Sequence, residues 1–229
     1  MSINTTDLKI QEKKMAAVSA VSFINNGDIV GLGTGSTATF AINELAELIK
    51  DGLQVKSVCS SIATEKLAIA SGIPIIPLGE ANHVDISIDG ADEFTENLEL
   101  IKGGGGALFR EKIVASLSKN RIIIADSSKK VKKLGAFKVP VEVVPTAYAY
   151  VVQQLKTLNG LPVLRIKDEK TFISDNQNYI IDVDFGLIKD PAKLSEQLNQ
   201  IVGVLAHGLF VNLTNRVIMA KGVELVIYT

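Results

Sequence analysis

The sequence has few of the residues that mark disulfide-linked, metal-binding or base-stacking proteins. Its 229 residues include one cysteine, two histidines and no tryptophan, and aromatic residues make up only 5%. A single cysteine, Cys59, excludes an internal disulfide framework and is typical of a reducing compartment. His83 and His207 lie far apart with no cysteine cluster, which argues against a structural zinc site. We therefore expect a cytoplasmic protein that binds no metal.

Charge and hydropathy argue against two further classes of partner. Lysine and arginine number 24 against 25 aspartates and glutamates, a net charge of -1, whereas proteins that bind nucleic acid without sequence preference carry a strong basic excess. No apolar run reaches the roughly 18 residues needed to span a bilayer, and the first residues lack the apolar core of a signal peptide. We expect no nucleic-acid or membrane partner.

The first two-thirds of the chain alternates strand-like and helix-like segments. Strands are predicted at 28–32, 54–60, 73–78, 84–89 and 121–126, and helices at 7–24, 37–50, 63–71 and 107–119. Valine and isoleucine runs that do not alternate with polar residues, separated by helices, indicate a parallel sheet covered on both faces. The predicted class is α/β, with a Rossmann-like, mostly parallel sheet.

The order of elements changes after Lys133. Predicted elements are a strand at 139–145, a helix at 146–158, a strand at 161–167, a hairpin of 171–175 with 179–184, a helix at 191–200 and a strand at 203–210. This order is the split βαβ, ferredoxin-like plan. We predict an inserted α+β domain at 135–206, and a Rossmann-like domain formed by 1–134 with 207–229.

The first candidate motif is GLGTGST, from Gly31 to Thr37. It follows a strand and opens a helix, where backbone N–H groups and the helix dipole favour an anion. Ser36 stands where a dinucleotide fingerprint needs glycine, and no lysine follows as in a Walker A loop. Hydroxyl groups beside the N–H groups suit a phosphate or sugar oxygens; the alternative is a tight turn with a Ser or Thr cap.

The second motif is DGADE, from Asp89 to Glu93, at the end of an apolar strand. Ligands of open α/β sheets bind beyond the carboxyl ends of the strands. Gly90 and Ala91 let the chain turn so that Asp89 and Asp92 point to one place, which suits proton transfer or a hard cation. The alternative is an inert turn rich in aspartate.

The third motif is the glycine run Gly103–Gly106, between Lys102 and a helix that carries Glu111. At about 100° per residue Glu111 falls on the apolar face of that helix, and Lys112 on the solvent side. Desolvation raises the pKa of a carboxylate, which suits a general base near neutral pH. The alternatives are a structural ion pair of Glu111 with Arg110 or Arg121, and a solvated Lys102.

Two weaker candidates also come after or within strands. Lys129, in ADSSKK, is a candidate ligand for a sugar hydroxyl or a phosphate, although a surface turn is equally consistent. Cys59 lies within an apolar strand, which favours a buried, inert thiol over a nucleophile.

Together the motifs resemble the type A ribose-5-phosphate isomerase family over nearly the whole chain. They are GLGTGST at 31–37, IDGADE at 88–93, IKGGGGAL at 101–108, REK at 110–112, IADSSK at 124–129, VPVEVVP at 139–145 and GLF at 208–210. Their order and spacing together are specific. The resemblance implies an isomerase of D-ribose 5-phosphate and D-ribulose 5-phosphate, in the non-oxidative pentose phosphate pathway, that needs no cofactor.

The resemblance also implies roles for individual residues. Glu111 is the implied catalytic base, with Asp89 and Lys102 as further catalytic residues. The implied substrate-binding residues are Thr34, Gly35, Ser36, Thr37, Asp89, Gly90, Ala91, Asp92, Lys102, Gly103, Gly104, Gly105 and Lys129. The Ser/Thr turn at 60–64 departs from the family pattern and is given no role. The family is usually oligomeric, so we expect a homodimer or homotetramer.

The implied mechanism is proton transfer through a cis-enediolate. Asp89 helps to open the furanose ring, and Glu111 takes the C2 proton and returns a proton to C1. Lys102 and the glycine N–H groups stabilise the enediolate oxygens in place of a metal. Asp92 either holds sugar hydroxyls or tunes the electrostatic properties of Lys102.

Three other functions fit the sequence less well. An amino-sugar-phosphate isomerase or deaminase typically needs a catalytic histidine, for which His83 and His207 are poor candidates. A sugar-phosphate sensor domain is usually joined to a DNA-binding helix-turn-helix, for which no spare basic segment exists. Coenzyme-A transferases share a similar sheet but typically have longer chains.

Overall fold

The computed structural model describes residues 5–229, and the contacts among them define two compact units. The first unit contains the described residues up to Ala91, together with Ile113–Lys130 and Leu213–Thr229. The second contains Asp92–Lys112 and Val131–Asn212. Each unit has a main sheet and a hydrophobic core of its own.

The elements alternate along the chain much as the hydrophobic pattern predicts. The α-helices of residues 5–229 are α1 (Thr5–Val21), α2 (Ser36–Lys50), α3 (Ile62–Ala70), α4 (Leu108–Leu117), α5 (Tyr148–Thr157) and α6 (Pro191–Asn199). The strands are β1 (Ile29–Leu32), β2 (Lys56–Cys59), β3 (Val84–Gly90), β4 (Glu93–Phe94), β5 (Leu100–Ile101), β6 (Ser118–Asp126), β7 (Val139–Val143), β8 (Leu161–Leu164), β9 (Ile166–Lys167), β10 (Lys170–Thr171), β11 (Tyr179–Asp184), β12 (Val204–His207), β13 (Leu209–Phe210), β14 (Arg216–Lys221) and β15 (Glu224–Tyr228).

A six-stranded sheet, in the order β15-β14-β6-β3-β1-β2, forms the centre of the first unit. Its pairings are parallel except that of β14 with β15. The predicted mostly parallel sheet is therefore confirmed. Because parallel strands end at the same edge, β1, β3 and β6 deliver the residues that follow them to one edge of the sheet.

Helices pack on both faces of this sheet. On one face, side chains of α1 and α2 join Val30, Leu32 and Ile86 in a single buried cluster. Gly31 points to the other face, because successive strand residues alternate in direction. There a Cβ on Gly31 would come within 2.6 Å of Val114, a residue of α4.

The second unit is built on a four-stranded antiparallel sheet in the order β12-β7-β11-β8. Along the chain the elements run β7-α5-β8-β11-α6-β12, which is the predicted split βαβ, ferredoxin-like order. Its core includes Val141, Val151, Leu155, Val183 and Leu198, all fully buried. A separate three-stranded sheet, β13-β5-β4, leads the chain into the glycine run.

One predicted strand and one predicted hairpin are wrong. Residues 73–78 form no strand, and Ile75 makes one isolated bridge to Ser57. Pro74 and Pro77 have no N–H group to donate to a ladder, which explains this difference. The predicted hairpin of 171–175 with 179–184 is reduced to one bridge, because β11 pairs with β7 and β8 while β10 pairs with β9.

The predicted strand at 203–210 is split at Gly208 into β12 and β13, which belong to different sheets. A Cβ on Gly208 would come within 2.3 Å of the backbone oxygen of Lys102. Lys102 N–H in turn donates to Gly208 O at 2.8 Å. The break therefore fixes the residue that precedes the glycine run.

The two units differ from the predicted domains at three segments, Asp92–Lys112, 131–134 and 207–212, all of which the contacts group with the second unit. The predicted domains, 1–134 with 207–229 and 135–206, stay a prediction; residues 1–4 lie outside the described residues. Within residues 5–229, no helix combines the length and apolar character needed to cross a membrane.

Candidate active site

The first glycine loop, Gly33–Gly35, joins β1 to α2 in the first unit and closes onto Asp89. A Cβ on Gly33 would come within 2.1 Å of Asp89 Oδ1, so only glycine fits at this position. The N–H groups of Thr34 and Gly90 donate to the same oxygen at 3.1 and 2.7 Å. Asp89 is buried, and main-chain donors therefore set the direction of its carboxylate.

A cluster of four hydroxyl groups is centred on the side chain of Thr34, and we call it the hydroxyl cluster. Thr34 Oγ1 lies 2.9 Å from Ser60 Oγ, 2.9 Å from Ser61 Oγ and 3.2 Å from Thr64 Oγ1. Thr64 Oγ1 donates to Gly33 O at 2.9 Å, which ties the cluster to the loop. Sequence reasoning assigned Ser60, Ser61 and Thr64 no role, although their place after a strand was a usable signal.

The helix that follows the first glycine loop begins without a side-chain cap. Its N-cap is Gly35, at φ 102°, and the predicted alternative of a Ser or Thr cap is therefore wrong. Ser36 lies in the exposed first turn of α2 and accepts a hydrogen bond from Lys13 Nζ at 3.0 Å. Lys13 adds a cation to a helix N-terminus that already favours anions. Sequence reasoning missed it, because it lies 23 residues away on α1.

Lys129 lies in a short 3₁₀ turn, Ser127–Lys129, immediately after β6. The buried carboxylate of Glu12 holds this turn by accepting from the N–H and the hydroxyl of Ser127, each at 2.9 Å. Its other oxygen accepts from Gly222 N–H at 2.7 Å. Lys129 is therefore carried on an anchored turn at the carboxyl edge of the six-stranded sheet.

Lys102 and Glu111 form a buried ion pair in the second unit. Lys102 Nζ lies 3.3 Å from Glu111 Oε1, and the two side chains are only 4% and 6% exposed. Lys102 follows β5 directly, and Glu111 lies in the first turn of α4. Glu111 is buried as the helical pattern predicts. The expectation of a solvated Lys102 is wrong, and the partner of Glu111 is this lysine rather than Arg110, whose Nε donates to Asn176.

The second glycine loop, Gly103–Gly106, connects the two members of this pair. Gly103 and Gly106 have φ of 97° and 85°, which favours glycine at both positions. Gly104 N–H donates to Asp92 Oδ2 at 2.8 Å, and a Cβ on Gly104 would come within 2.7 Å of Asp92 Oδ1. The loop has no side chains of its own, so it places backbone N–H and C=O groups between the Asp92 carboxylate and the buried Lys102 ammonium.

Lys112 departs from its predicted place on the solvent side of α4. Its Nζ donates to the backbone oxygens of His207 and Leu209, at 2.7 and 3.0 Å, and lies 4.8 Å from the centre of the Phe210 ring. The helical pattern gives the direction of a Cβ, whereas a flexible four-carbon stem can carry the ammonium back toward the protein. Burial lowers the pKa of Lys112 to about 8.

His207 lies fully buried beside this lysine. Burial and the charge of Lys112 lower its pKa to about 3. Its Nδ1 accepts from Leu209 N–H, so the ring proton lies on Nε2, which is 3.1 Å from Asn199 Oδ1. A neutral histidine held in this way is a structural group, consistent with the expectation that His207 is a poor candidate for catalysis.

Cys59 is buried at the end of β2, as predicted. Burial raises the pKa of its thiol to about 12, and the charge of Glu65 adds to this effect. Because the thiolate is the reactive form, this cysteine is a poor nucleophile at neutral pH.

The predicted site residues divide between the two units. Within the first unit, Thr34 and Gly90 contact Asp89; within the second, Lys102 contacts Glu111 and Gly104 contacts Asp92. The first unit holds Thr34, Gly35, Ser36, Thr37, Asp89, Gly90, Ala91 and Lys129, and the second holds Asp92, Lys102, Gly103, Gly104, Gly105 and Glu111. Within residues 5–229, no group of three or more His, Cys, Asp or Glu side chains is placed to hold a metal ion.

Comparison with known sequences points to one family. The sequence model of ribose 5-phosphate isomerase A (phosphoriboisomerase A) matches residues 56–223. A ribose-5-phosphate isomerase A of Sphingopyxis alaskensis is 45% identical over 213 residues, which cover 93% of each chain. A second relative, ribose-5-phosphate isomerase A 2 of Oceanobacillus iheyensis, is 43% identical over 95% of this chain and 98% of its own.

Solved structures agree with the sequence comparison. Ribose 5-phosphate isomerase A of Methanocaldococcus jannaschii superposes with a TM-score of 0.90 at 39% identity, over 98% of this chain and 99% of that one. A D-ribose-5-phosphate isomerase in complex with phospho-erythronic acid gives a TM-score of 0.92 at 36% identity, with the same coverage.

Proposed function

Because this chain belongs to the ribose 5-phosphate isomerase A family, we propose that it isomerises its substrate by metal-independent proton transfer through an enediolate, with Glu111 as the base. The enzyme interconverts D-ribose 5-phosphate and D-ribulose 5-phosphate, the activity that its relatives' names and the family's place in the pentose phosphate pathway give it.

The buried pair of Lys102 and Glu111 is the observation that carries this mechanism. A carboxylate that is 6% exposed is removed from the water that would otherwise compete for a proton. In our proposal Glu111 takes the proton from C2 of the open aldose and delivers a proton to C1. One group suffices for both steps because the two carbons are adjacent and a cis-enediolate presents both to the same face.

Lys102 and the second glycine loop supply the charge stabilisation that the enediolate requires. The Lys102 ammonium lies 3.3 Å from the proposed base, so it is close to the oxygens that become negative as the proton leaves. The N–H groups of Gly103 and Gly105 are proposed to bind these oxygens, because no side chain blocks their approach. Gly104 is proposed to contribute through Asp92, to which its N–H donates. Preorganised donors of this kind stabilise the transition state more than the ground state. Asp92 is proposed to hold a sugar hydroxyl.

Residues of the first unit are proposed to bind the substrate as well. The helix N-terminus at Ser36 and Thr37, with Lys13, suits the phosphate. Thr34, Gly35 and Lys129 are proposed to bind further oxygens. Asp89, fixed by main-chain donors, is proposed to move the proton that opens the furanose ring, with Gly90 and Ala91 lining its turn. Phosphate binding, remote from the reacting carbons, would align them.

Three broader predictions accompany the mechanism. We propose that the enzyme is a homodimer or homotetramer, which light scattering after gel filtration would test. The exposed apolar residues Val223 and Leu225 on or next to edge strand β15 support this proposal. We propose a cytoplasmic location, which the single buried cysteine supports. The domains 1–134 with 207–229 and 135–206 are proposed as the units of folding.

Substitution of Glu111 by glutamine tests the central assignment. Glu111→Gln keeps the side chain's shape but removes the base, so we expect the protein to fold, to bind the sugar phosphate and to lose at least about 10³-fold in kcat. Exposed Glu196→Gln, on α6, is the matched control and should retain full activity. A Glu111→Gln rate above about a tenth of that of the parent enzyme would refute the assignment.

Isotope transfer and chelation test the remaining parts of the mechanism. In D₂O part of the product ribulose 5-phosphate should acquire deuterium at C1, because the protonated carboxylate can exchange with solvent in some turnovers before it delivers the proton. Complete transfer of the C2 hydrogen to C1, with no deuterium in the product, would indicate a hydride shift and contradict the enediolate route. Full activity after exhaustive chelation is expected, and loss of activity restored by a divalent cation would contradict metal independence.

A further inference from the structure

The second glycine loop is held from one side by an arginine that none of the sequence motifs contains. Arg165 lies in the one-residue gap between β8 and β9. Its Nη1 donates to the backbone oxygens of Gly103 and Gly104, at 3.0 and 3.2 Å. One guanidinium nitrogen therefore holds two consecutive carbonyl groups of the loop.

The guanidinium is itself held in place. Its Nε donates to Asp182 Oδ2 at 2.8 Å and its Nη2 donates to Asp182 Oδ1, which makes a two-pronged ion pair. The Arg165 and Asp182 side chains are only 12% and 24% exposed. The Arg165 backbone is fixed as well, because its N–H donates to Ile180 O and its oxygen accepts from Phe172 N–H. Such a planar fork is pre-organised in a way that a lysine is not.

Holding these carbonyl groups also fixes the N–H groups of the loop. In a trans peptide the C=O and the following N–H point in opposite directions. With Gly103 O turned toward Arg165, Gly104 N–H points away from it, and it donates to Asp92 Oδ2 at 2.8 Å. With Gly104 O also turned toward Arg165, Gly105 N–H must point away from the guanidinium.

The contacts of Phe172 strengthen this arrangement. Its ring lies 5.7 Å from the Arg165 guanidinium carbon, and a Cβ on Gly106 would come within 2.4 Å of the same ring. Gly106 N–H closes the loop by donating to Gly103 O at 3.0 Å. The loop is thus fixed at Gly103, Gly104 and Gly106 before any substrate arrives.

We propose that Arg165, oriented by Asp182, is a positioning residue that sets the direction of the Gly105 N–H group for binding an enediolate oxygen and keeps Gly104 N–H on Asp92. Arg165 touches neither substrate nor reacting atoms; it acts through the peptide groups of the loop. The proposal rests on the proposed function of that loop. It predicts that losing Arg165 lowers kcat rather than substrate affinity, since the misdirected donor is one used in the transition state.

The test uses a pair of substitutions that leaves no charge without its partner. Arg165→Met alone leaves the partly buried Asp182 carboxylate without its ion-pair partner and can destabilise the fold. The decisive variant is therefore Arg165→Met with Asp182→Ala. We expect kcat to fall about 10–100-fold and KM to change by less than about threefold. Arg165→Lys should recover little, because one ammonium cannot reproduce the fork. Arg121→Met, which removes the guanidinium that bonds Asn215 in the first unit, should keep full kcat.

Two further readouts separate positioning from general destabilisation. Phospho-erythronic acid carries a planar carboxylate that resembles the enediolate, so its inhibition constant should rise about as much as kcat falls. Hydrogen exchange should become faster in peptides covering 101–107 and remain unchanged in the strands of the six-stranded sheet. A double variant with parent-like kcat and parent-like loop exchange would overturn the proposal.

The same experiments distinguish a failure of this proposal from a failure of the proposed function. If Glu111→Gln is inactive while the Arg165 and Asp182 double variant has parent-like kcat, only the positioning role is wrong. If the parent enzyme shows no isomerase activity, the proposed function fails, and exchange of the loop amides alone still decides whether Arg165 holds the loop.

Discussion

The two glycine loops are built on the same principle but offer different chemistry. In each, a Cβ added to a glycine would come within 3.0 Å of an aspartate carboxylate, Gly33 against Asp89 and Gly104 against Asp92. In each, a loop N–H donates to that carboxylate, Thr34 in the first loop and Gly104 in the second. The aspartates thereby serve as anchors for loops of different composition.

The two loops differ in the chemical groups that lie next to them. The first loop leads into hydroxyl groups and a helix N-terminus, which are neutral or dipolar binding groups. The second lies between a buried lysine and a buried glutamate, which can move a proton and stabilise charge. We infer that the first loop contributes mainly to substrate binding and the second mainly to the chemical step.

The largest expected effect comes from placing alanine at Gly33 or at Gly104, which should affect the two glycine–aspartate contacts differently. Gly33→Ala would place a Cβ 2.5 Å from the Asp89 backbone as well as against its carboxylate, so neither side can move cheaply. We expect a loss of about 2–3 kcal/mol in the free energy of unfolding. Gly104→Ala meets only the Asp92 carboxylate, which can rotate away. We expect near-normal stability but a fall in kcat of roughly 10²-fold, because the displaced carboxylate no longer holds the loop in position. Denaturant titration and steady-state kinetics measure the two effects.

Gly79→Ala is the matched control for both substitutions. A Cβ there meets nothing within 4 Å, and φ is not positive, so stability and activity should stay within error. If Gly33→Ala and Gly104→Ala lost stability equally, the distinction between a backbone contact and a side-chain contact would be wrong.

Much of the fold can be predicted from local patterns in the sequence. Unalternated runs such as 84–89 and 121–126 predict buried parallel strands, and these are β3 and β6. The burial of Glu111 was predictable because a helical period of about 100° per residue is a local property. The predicted strand at 73–78 is wrong because a prediction from hydrophobicity alone ignores the missing N–H groups of Pro74 and Pro77.

The parts of the site that the sequence did not predict depend on long-range contacts. Lys13 reaches Ser36 from another helix, and Arg165 reaches Gly103 from a position 62 residues along the chain. No period or motif connects such residues. Lys112 was misplaced for a related reason, because its final contacts, His207 and Leu209, lie 95 and 97 residues away.

A smaller expected effect concerns the dependence of stability on pH. The second unit carries buried titratable groups, among them His207, whereas the hydroxyl cluster of the first unit does not titrate. The pKa of His207 is about 3 in the folded protein and about 6.5 in an unfolded chain. Between these values the unfolded chain binds the proton and the folded protein does not, so stability falls as pH drops below about 6.5. From pH 7 to pH 4.5 this residue should cost about 2–3 kcal/mol.

The measurement is the unfolding free energy of the parent enzyme and of His207→Gln at both pH values. Glutamine keeps a polar group near Asn199 without taking up a proton, so the variant should lose less stability on acidification. Equal losses in the two proteins would show that His207 becomes charged without cost, contrary to its full burial.

The smallest expected effect tests the binding role of the first loop directly. Thr34→Val keeps the shape of the side chain and the N–H that donates to Asp89, but removes the hydroxyl at the centre of the hydroxyl cluster. We expect KM to rise about tenfold, or roughly 1.4 kcal/mol, with kcat changed by less than about threefold. Thr39→Val, in the first turn of α2, removes only a hydroxyl that donates to Gly35 O and should leave both constants unchanged. A Thr34→Val variant that lost kcat while keeping KM would contradict the proposal that the first loop serves binding and the second serves the chemical step. The first loop would then act in the transition state, as the second does.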